Sequence, residues 1–208
     1  MKRQVMILLR LVCITVTGVA LTGCLLRRPT DSTRYFALSP ISTNAPAAIE
    51  TKSSLVEIGF ITMPSYLLRN SIVLRNDENE FQYLEDARWG ERLDRDFQRT
   101  ISVNLSRLLP SGSVLPPNSG HGQVAAKVSV NVQQFDVDAH GRGTLDAQWR
   151  ITVTDNDKPL KSGHAHVVQP GASPRGNPEA IAKTLSDLTT EFSLTLAKEI
   201  REFKNLGE

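Results

Sequence analysis

Two carboxylates and an imidazole alternate near the middle of the chain, at Asp136, Asp138 and His140. Side chains two positions apart share one face of an extended strand, and carboxylate oxygens with an imidazole nitrogen can bind a divalent metal. The sequence therefore allows a metal-dependent hydrolase built on these three residues. The simpler interpretation is a solvated strand end that runs into a glycine turn, where Asp is common. We expect the simpler interpretation, with no metal or cofactor site.

A second group, His164 and His166, also shares one face if its segment is extended. Two imidazoles without a third ligand make an incomplete zinc site, and polar positions on the solvent side of a sheet explain them equally well. The sequence has no G-x-S-x-G elbow, no H-E-x-x-H motif and no phosphate-binding loop. These patterns predict that the chain is not an enzyme.

Cys24 is the most informative reactive residue, because it follows Leu21-Thr22-Gly23 at the end of an apolar run. Basic residues precede this run and no acidic residue occurs before Asp31, as in a secretory signal. A transmembrane anchor is the competing interpretation. It needs about 20 apolar residues, whereas Arg10 limits the uninterrupted run to Leu11 to Leu21.

The segment around Cys24 resembles the bacterial lipobox, in which the cysteine receives a diacylglyceryl thioether, is freed by cleavage and is then N-acylated, for example with palmitate. Two or three acyl chains anchor a protein stably. By the sorting pattern of such lipoproteins, Leu26 in place of an aspartate implies the outer membrane. We therefore expect residues 1–23 to be a signal peptide and Cys24 to anchor the protein on the periplasmic face of the outer membrane.

The composition fits one small domain without disulfides. The chain has 208 residues, with 24 basic and 22 acidic side chains. Because Lys2, Arg3 and Arg10 leave with the signal, the mature charge is about −1 and no attraction to nucleic acid is indicated. Cys13 lies in the signal and Cys24 is the proposed lipid site, so no thiol remains for a disulfide.

The segment over residues 24–53 is rich in Pro, Ser, Thr and Ala, which predicts a tether that contains a short strand, followed by a domain over residues 54–208. Alternating and helical patterns predict the order β, β, hairpin, α, three β, α. The crossover from the strand at Leu55 through the first helix could be a parallel unit. The predicted fold class is α/β: a mixed, largely antiparallel β-sheet covered by two long amphipathic helices.

Three local signals refine this fold. The apolar phase slips after Val132, which predicts a β-bulge near Gln133-Gln134. Asn177 can cap the last helix, with Pro178 at its first position. The segment from Pro110 to Gly122 is rich in proline and glycine and predicts a loop.

Several side chains are candidates for a surface contact. The charge run over residues 91–99 is either a docking face or the solvated side of a helix, with pairs such as Glu91 and Arg95. Trp89 either caps the core or anchors an interface. If Tyr66, Leu67 and Leu68 stay exposed, they mark a contact patch.

With these residues in view, the chain resembles the PqiC/YmbA family of ABC-type transport auxiliary lipoproteins. Arg34-Tyr35-Phe36-Ala37-Leu38 resembles the aromatic YYxL segment of that family, and Met63-Pro64-Ser65-Tyr66-Leu67 resembles LPxYL. Arg88-Trp89-Gly90-Glu91-Arg92-Leu93 resembles RWAEPL, and departs from it at Gly90 and Arg92. The resemblance covers nearly the whole mature sequence.

The resemblance implies a non-enzymatic docking lipoprotein of the outer membrane. Its partners would be an MCE-type periplasmic protein and its inner-membrane ABC and permease complex, which move phospholipids or other apolar molecules between membranes. The expected contacts are Tyr35, Tyr66, Leu67 and Trp89, and assembly into homo-oligomeric rings is plausible for the family. The alternatives are a periplasmic metal-dependent hydrolase and a lipoprotein that regulates a cell-wall synthase.

Overall fold

In a computed structural model of the chain, the described residues are 3–4, 32–42, 55–110, 112–115, 124–154 and 159–205. The chain divides into two units, residues 1–32 and 33–208. In the first unit, Arg3 and Gln4 are helical, whereas the predicted signal cleavage site and Cys24 lie outside the described residues. No helix within the described ranges is both long and apolar enough to cross a membrane. The elements below all belong to the second unit.

The strands and helices follow nearly the order that the periodicity predicts. They are β1 (Arg34–Phe36), β2 (Leu55–Thr62), a short 3-10 helix (Ser65–Leu68), β3 (Ser71–Asp77), β4 (Glu80–Trp89), α1 (Leu93–Leu108), β5 (Val114–Leu115), β6 (Val124–Val137), β7 (Gly143–Val153), β8 (Pro159–Gln169) and α2 (Pro178–Asn205). The α/β class is confirmed.

The described strands form two sheets, and not the single sheet that the sequence predicts. The smaller sheet has the order β1-β4-β3, and the larger has the order β5-β2-β6-β7-β8. A physical reason lies directly after β2, where Pro64 interrupts the extended chain. The 3-10 helix then follows, so the β3–β4 hairpin is free to pair with β1 instead of extending the larger sheet.

Both sheets combine parallel and antiparallel pairing. In the larger sheet, β2 runs parallel to β5 and β6, whereas β6, β7 and β8 form an antiparallel meander. The predicted parallel crossover from β2 through α1 to β6 is therefore confirmed. The prediction of a loop throughout residues 110–122 is wrong at Val114–Leu115, because this pair forms a short strand beside β2.

The core packs both helices against one face of the larger sheet, and buried side chains of β3 and β4 in the smaller sheet belong to the same cluster. Phe97 of α1 contacts the rings of Phe135 in β6 and Phe192 in α2, with centroids 5.0 and 6.1 Å apart. All three side chains are fully buried, and burying one such apolar side chain contributes about 1.5–3 kcal/mol. These rings therefore join both helices to the centre of the sheet.

The long helix α2 begins as the sequence predicts. The side-chain oxygen of Asn177 accepts a hydrogen bond from the Ala180 N–H at 3.2 Å, and Pro178 is the first helical residue. This cap satisfies one of the backbone donors that a helix start leaves unpaired. The side chains of its apolar stripe that the structure describes are buried, namely Ile181, Leu185, Leu188, Phe192, Leu196 and Ile200.

Two bulges set which side chains face the helices. The register of β6 against β7 shifts between Val132 and Gln134, which confirms the bulge predicted there. A second shift in β2, between Ile58 and Ile61, was not predicted. Because Gly59 and Phe60 both fall within this shift, Phe60 leaves the buried face and is 85% exposed.

Candidate functional site

The segment that leads into the folded unit from the N-terminus is fastened across both helices. We call residues 37–42 the strap. The Leu38 N–H donates to Asp96 Oδ2 at 2.7 Å, and the Ser39 N–H donates to Ser186 Oγ at 3.0 Å. Farther along, the Ile41 N–H donates to Asn104 Oδ1 at 2.8 Å. The strap is therefore part of the folded body, although the sequence places it in the tether.

Three residues of α1 hold the strap, and two of them, Asp96 and Asn104, are buried, whereas Arg107, which donates to the Ile41 carbonyl, is exposed. Asp96 is completely buried, and burial raises the pKa of its carboxyl group. The hydrogen bond from the Leu38 N–H lowers this pKa, but by less than burial raises it. Arg99 also pairs with Asp96. Asn104 donates to Ser193 Oγ of α2 at 3.0 Å, so one amide side chain joins the strap and both helices.

This geometry corrects the prediction for the charge run. Asp96 does not lie on the solvated side of the helix, and Glu91 pairs with Arg99 at 3.0 Å and not with Arg95. The N-terminus of α1 still carries Asp94 and Asp96 in its first turn, where the helix dipole favours negative charge.

A buried ion pair connects the two sheets. Arg75 of β3 donates through Nε to Asp136 Oδ1 at 3.0 Å and through Nη2 to Oδ2 at 2.7 Å. Tyr66 Oη donates to the same Oδ2 at 2.8 Å, and Gln134 Nε2 donates to Oδ1 at 2.9 Å. Asp136 is only 2% exposed. We call these four residues the intersheet junction.

An aromatic ring, Phe81, packs against the intersheet junction, and the ion pair shifts the pKa values of the residues in it. The Tyr66 ring stacks on Phe81 with centroids 4.3 Å apart, and the Arg75 guanidinium lies 4.5 Å from the same Phe81 ring. Burial and the adjacent Asp136 carboxylate raise the pKa of Tyr66 far above its ordinary value. The hydrogen bond to Asp136 raises the pKa of Arg75. Tyr66 therefore stays a neutral donor, and Arg75 stays a cation.

Asp136, Asp138 and His140 do not form the common face that a metal site needs. β6 ends at Val137, and the Asp138 carboxylate accepts the backbone N–H groups of His140 and Arg142, each at 2.9 Å. Asp136 is instead buried in the intersheet junction, so its description as a solvated strand end is also wrong. Across the described ranges, no group of three or more His, Cys, Asp or Glu residues could hold a metal ion.

The second histidine pair lies on the exposed side of the larger sheet, as predicted. His164 Nε2 is 2.8 Å from Asp146 Oδ1, and His166 Nδ1 is 3.0 Å from Asp146 Oδ2. The hydrogen bond from His164, followed by that from His166, lowers the pKa of Asp146. One carboxylate of β7 thus lies between two imidazoles of the neighbouring strand β8.

The four expected partner contacts divide into exposed and buried side chains. Tyr35 is 68% exposed, and Tyr66 is half-buried in the junction. Leu67 and Trp89 are 2% and 4% exposed, so neither side chain can reach a partner in this conformation. Trp89 therefore caps the core, and the condition for a contact patch at Tyr66, Leu67 and Leu68 is not met.

The sequence missed Phe60, which is the most exposed large apolar side chain among the described residues. It stands at the rim of a cleft of about 770 Å³ on the sheet face that points away from the helices. The remaining lining is mostly polar and includes Thr62, Asn131, Gln148, Arg150 and His164. Alternation with Val56 and Ile58 predicts a buried Phe60. The only warning in the sequence is Gly59, since glycine inside a strand often marks a bulge.

Comparison with known proteins gives the family of this chain. The model of the ABC-type transport auxiliary lipoprotein component matches residues 36–197. The chain belongs to this family. This ABC-type transport auxiliary lipoprotein is 20% identical, over 190 residues, to the intermembrane transport lipoprotein PqiC of Escherichia coli (strain K12). The alignment covers 90% of this chain and 96% of that protein.

Solved structures support the fold of this auxiliary lipoprotein. Protein XCC0632 from Xanthomonas campestris superposes with a TM-score of 0.70 at 14% identity, covering 84% of this chain and 98% of that one. An uncharacterised protein gives 0.63 at 18% identity, covering 81% of this chain and 98% of that one. At these identities the likeness concerns the fold alone.

Proposed function

We propose that this auxiliary lipoprotein is a non-enzymatic docking component, anchored through Cys24 on the periplasmic face of the outer membrane. Its partner is an MCE-type periplasmic protein, which connects it to an inner-membrane ABC and permease complex that moves phospholipids or other apolar molecules. The family match and the similarity to a protein named an intermembrane transport lipoprotein support this proposal.

The strap is the observation that carries the proposal. Three backbone N–H groups between Leu38 and Ile41 bond to side chains of α1 and α2. The chain that arrives from Cys24 is therefore attached to the helix layer from its first folded residues. A domain held this way stays within a short linker of its membrane anchor, which raises its effective concentration for a partner that reaches that membrane.

The internal pairing of the titratable groups favours docking over catalysis. Asp136 is held by Arg75, Asp96 by Arg99, and Asp146 by the two histidines. A general acid or base must reach the proton that it transfers, and the buried carboxylates of Asp96 and Asp136 already accept hydrogen bonds from other side chains.

The anchor is tested by Cys24→Ser in the full-length protein. We expect the variant to leave the membrane fraction, because the acyl chains that give stable anchoring are lost. The native material should carry the acyl groups on Cys24 in mass spectrometry. Retention of Cys24→Ser in the membrane pellet would contradict the anchor.

The docking contact is assigned to Phe60 with its cleft, and to Tyr35. Exposed aromatic side chains are the usual anchors of protein interfaces, and these two are the most exposed large apolar residues of the described chain. A photo-crosslinking amino acid at either position should capture the MCE-type protein in cells.

The same crosslinker at Leu194, which is 40% exposed on α2, is the matched control and should capture far less of that protein. Capture of a cell-wall synthase at Phe60 in place of the transport protein would contradict the proposed partner. Equal capture from all three positions would contradict the assigned surface.

A further inference from the structure

Arg150 lines the cleft that Phe60 borders, on the face of the larger sheet that points away from the helices. In the strand register, Ser129 of β6 lies opposite Arg150 of β7, and Arg150 lies opposite Ser162 of β8. Side chains directly opposite each other on neighbouring strands have Cβ atoms about 5 Å apart, and both serines also line the cleft. One guanidinium group therefore lies between two hydroxyl groups that can donate to the same anion.

The charge of Arg150 has no counterpart within the described part of the chain. Its guanidinium forms no ion pair and no hydrogen bond with another described residue, whereas Arg75 pairs with Asp136. The described residues that line the cleft include no Asp or Glu, and Asp146, which is outside this lining, is bonded to His164. Arg150 can therefore bind an incoming carboxylate through two parallel N–H···O bonds.

The rest of the cleft offers neutral hydrogen-bonding groups. Asn131 lies opposite Gln148, and Gln148 lies opposite His164, in a second row across the same strands. Thr62 donates to Asn131 Oδ1 at 2.9 Å, which leaves the Asn131 amide N–H groups able to donate outwards. Amide and hydroxyl groups of this kind suit the backbone of a bound peptide, because its C=O and N–H groups need partners once water is displaced.

We propose that the cleft receives an extended segment of the docking partner that places a carboxylate on Arg150 and an apolar side chain against Phe60. This inference rests on the proposed docking function, and it adds the chemistry that the partner must present. Arg150 and Phe60 lie on β7 and β2, which are two strands apart in the larger sheet and therefore separated by about 10 Å. A small anion on Arg150 would leave the Phe60 ring in water, whereas about three residues of extended chain, at about 3.3 Å each, reach from one to the other. Aromatic and arginine side chains are also the residues that most often dominate the binding energy of interfaces.

The first test uses the full-length lipoprotein in cells, with the photo-crosslinking amino acid in place of Phe60. Adding Arg150→Glu should lower capture of the MCE-type protein by about tenfold or more, because a like charge then faces the partner's carboxylate. Arg150→Lys keeps the charge and loses the planar fork, so it should lower capture less. Arg95→Glu makes the same charge change on the exposed side of α1 and should leave capture unchanged. Capture that is undiminished in Arg150→Glu would overturn the inference and leave the docking function in place.

The second test separates a direct contact from an effect on folding. Mass spectrometry of the crosslinked peptide identifies the captured segment, and changing its acidic residue to Lys should restore capture by the Arg150→Glu protein. A captured segment without an acidic residue, no restoration at any of its acidic positions, or a lipid adduct in place of a peptide would overturn the inference. If the crosslinker at Phe60 captures no MCE-type protein when Arg150 is unchanged, the docking function itself is contradicted, and this inference is overturned with it.

Discussion

Arg75 is the residue on which the contact between the two sheets depends most directly. Its guanidinium makes two hydrogen bonds to a carboxylate that is 2% exposed, and it also lies against the Phe81 ring. A buried carboxylate without its cation carries a large desolvation cost. The sequence was least informative about the pair of Arg75 and Asp136, because the pattern around Asp136 predicts a polar strand end.

We expect Arg75→Met to destabilise the protein by about 3–5 kcal/mol, because it removes the cation and leaves Asp136 buried. Arg142→Met is the matched control, since it removes an exposed pair with Asp138 that is worth at most about 1 kcal/mol. Urea denaturation of both variants measures the difference in the free energy of unfolding. Similar losses in the two variants would show that the junction contributes no more than a surface pair.

At the scale of elements, the strap shows how side chains of helices can fix an extended segment that has no strand partner. Its N–H groups find acceptors on Asp96, Ser186 and Asn104, which lie 58 to 147 residues away along the chain. A buried backbone donor without an acceptor costs about 1–3 kcal/mol. The strap is therefore held by specific positions on both helices.

We expect Asp96→Ala and Asn104→Ala to raise the hydrogen-exchange rates of the Leu38 and Ile41 amides respectively. Arg95→Ala, on the exposed side of the same helix, should leave both amides protected. Exchange measured by mass spectrometry over residues 36–42 distinguishes these cases. Unchanged protection in both acceptor variants would show that neither Asp96 nor Asn104 holds the strap.

Elements with a strong period were predictable from sequence, because their periodicity reflects a single buried face. This applies to α1, α2 and the β6–β8 meander, including the bulge after Val132. The division into two sheets was not predictable, because it depends on β1 pairing with β4, which lies more than 50 residues later. No local pattern records such a long-range choice.

The candidate site was predicted less well than the fold, for a related reason. Trp89 and Leu67 are apolar residues beside turns, and sequence alone cannot say whether such residues face the core or a partner. The bulge in β2 shifts the register by one residue at Phe60. A shift of one residue moves a side chain to the opposite face of the sheet. Only the three-dimensional packing therefore shows which of these three side chains are buried.

At the scale of the whole molecule, few residues separate the proposed anchor from the first strand. Cys24 and Arg34, the first residue of β1, are ten positions apart in the sequence. Ten residues reach at most about 36 Å when fully extended. If Cys24 is lipidated, the folded unit works within this distance of the bilayer.

We expect an insertion of about 20 Gly and Ser residues between positions 26 and 33 to lower photo-crosslinking at Phe60 to the MCE-type protein. A longer flexible linker lowers the effective concentration of the tethered domain at one place. Membrane fractionation and the free energy of unfolding should not change. Undiminished crosslinking would show that linker length does not set the position of the domain.

The placement of the two tryptophans gives each sheet its own optical reporter. Trp89 closes β4 in the smaller sheet and Trp149 lies in β7 of the larger one, and both indoles are almost completely buried. A pair of single-tryptophan variants, each retaining one indole, would emit from only one sheet. If the fluorescence emission of the two variants shifts to the red at different denaturant concentrations, one sheet unfolds before the other. Shifts at the same concentration would indicate one cooperative transition.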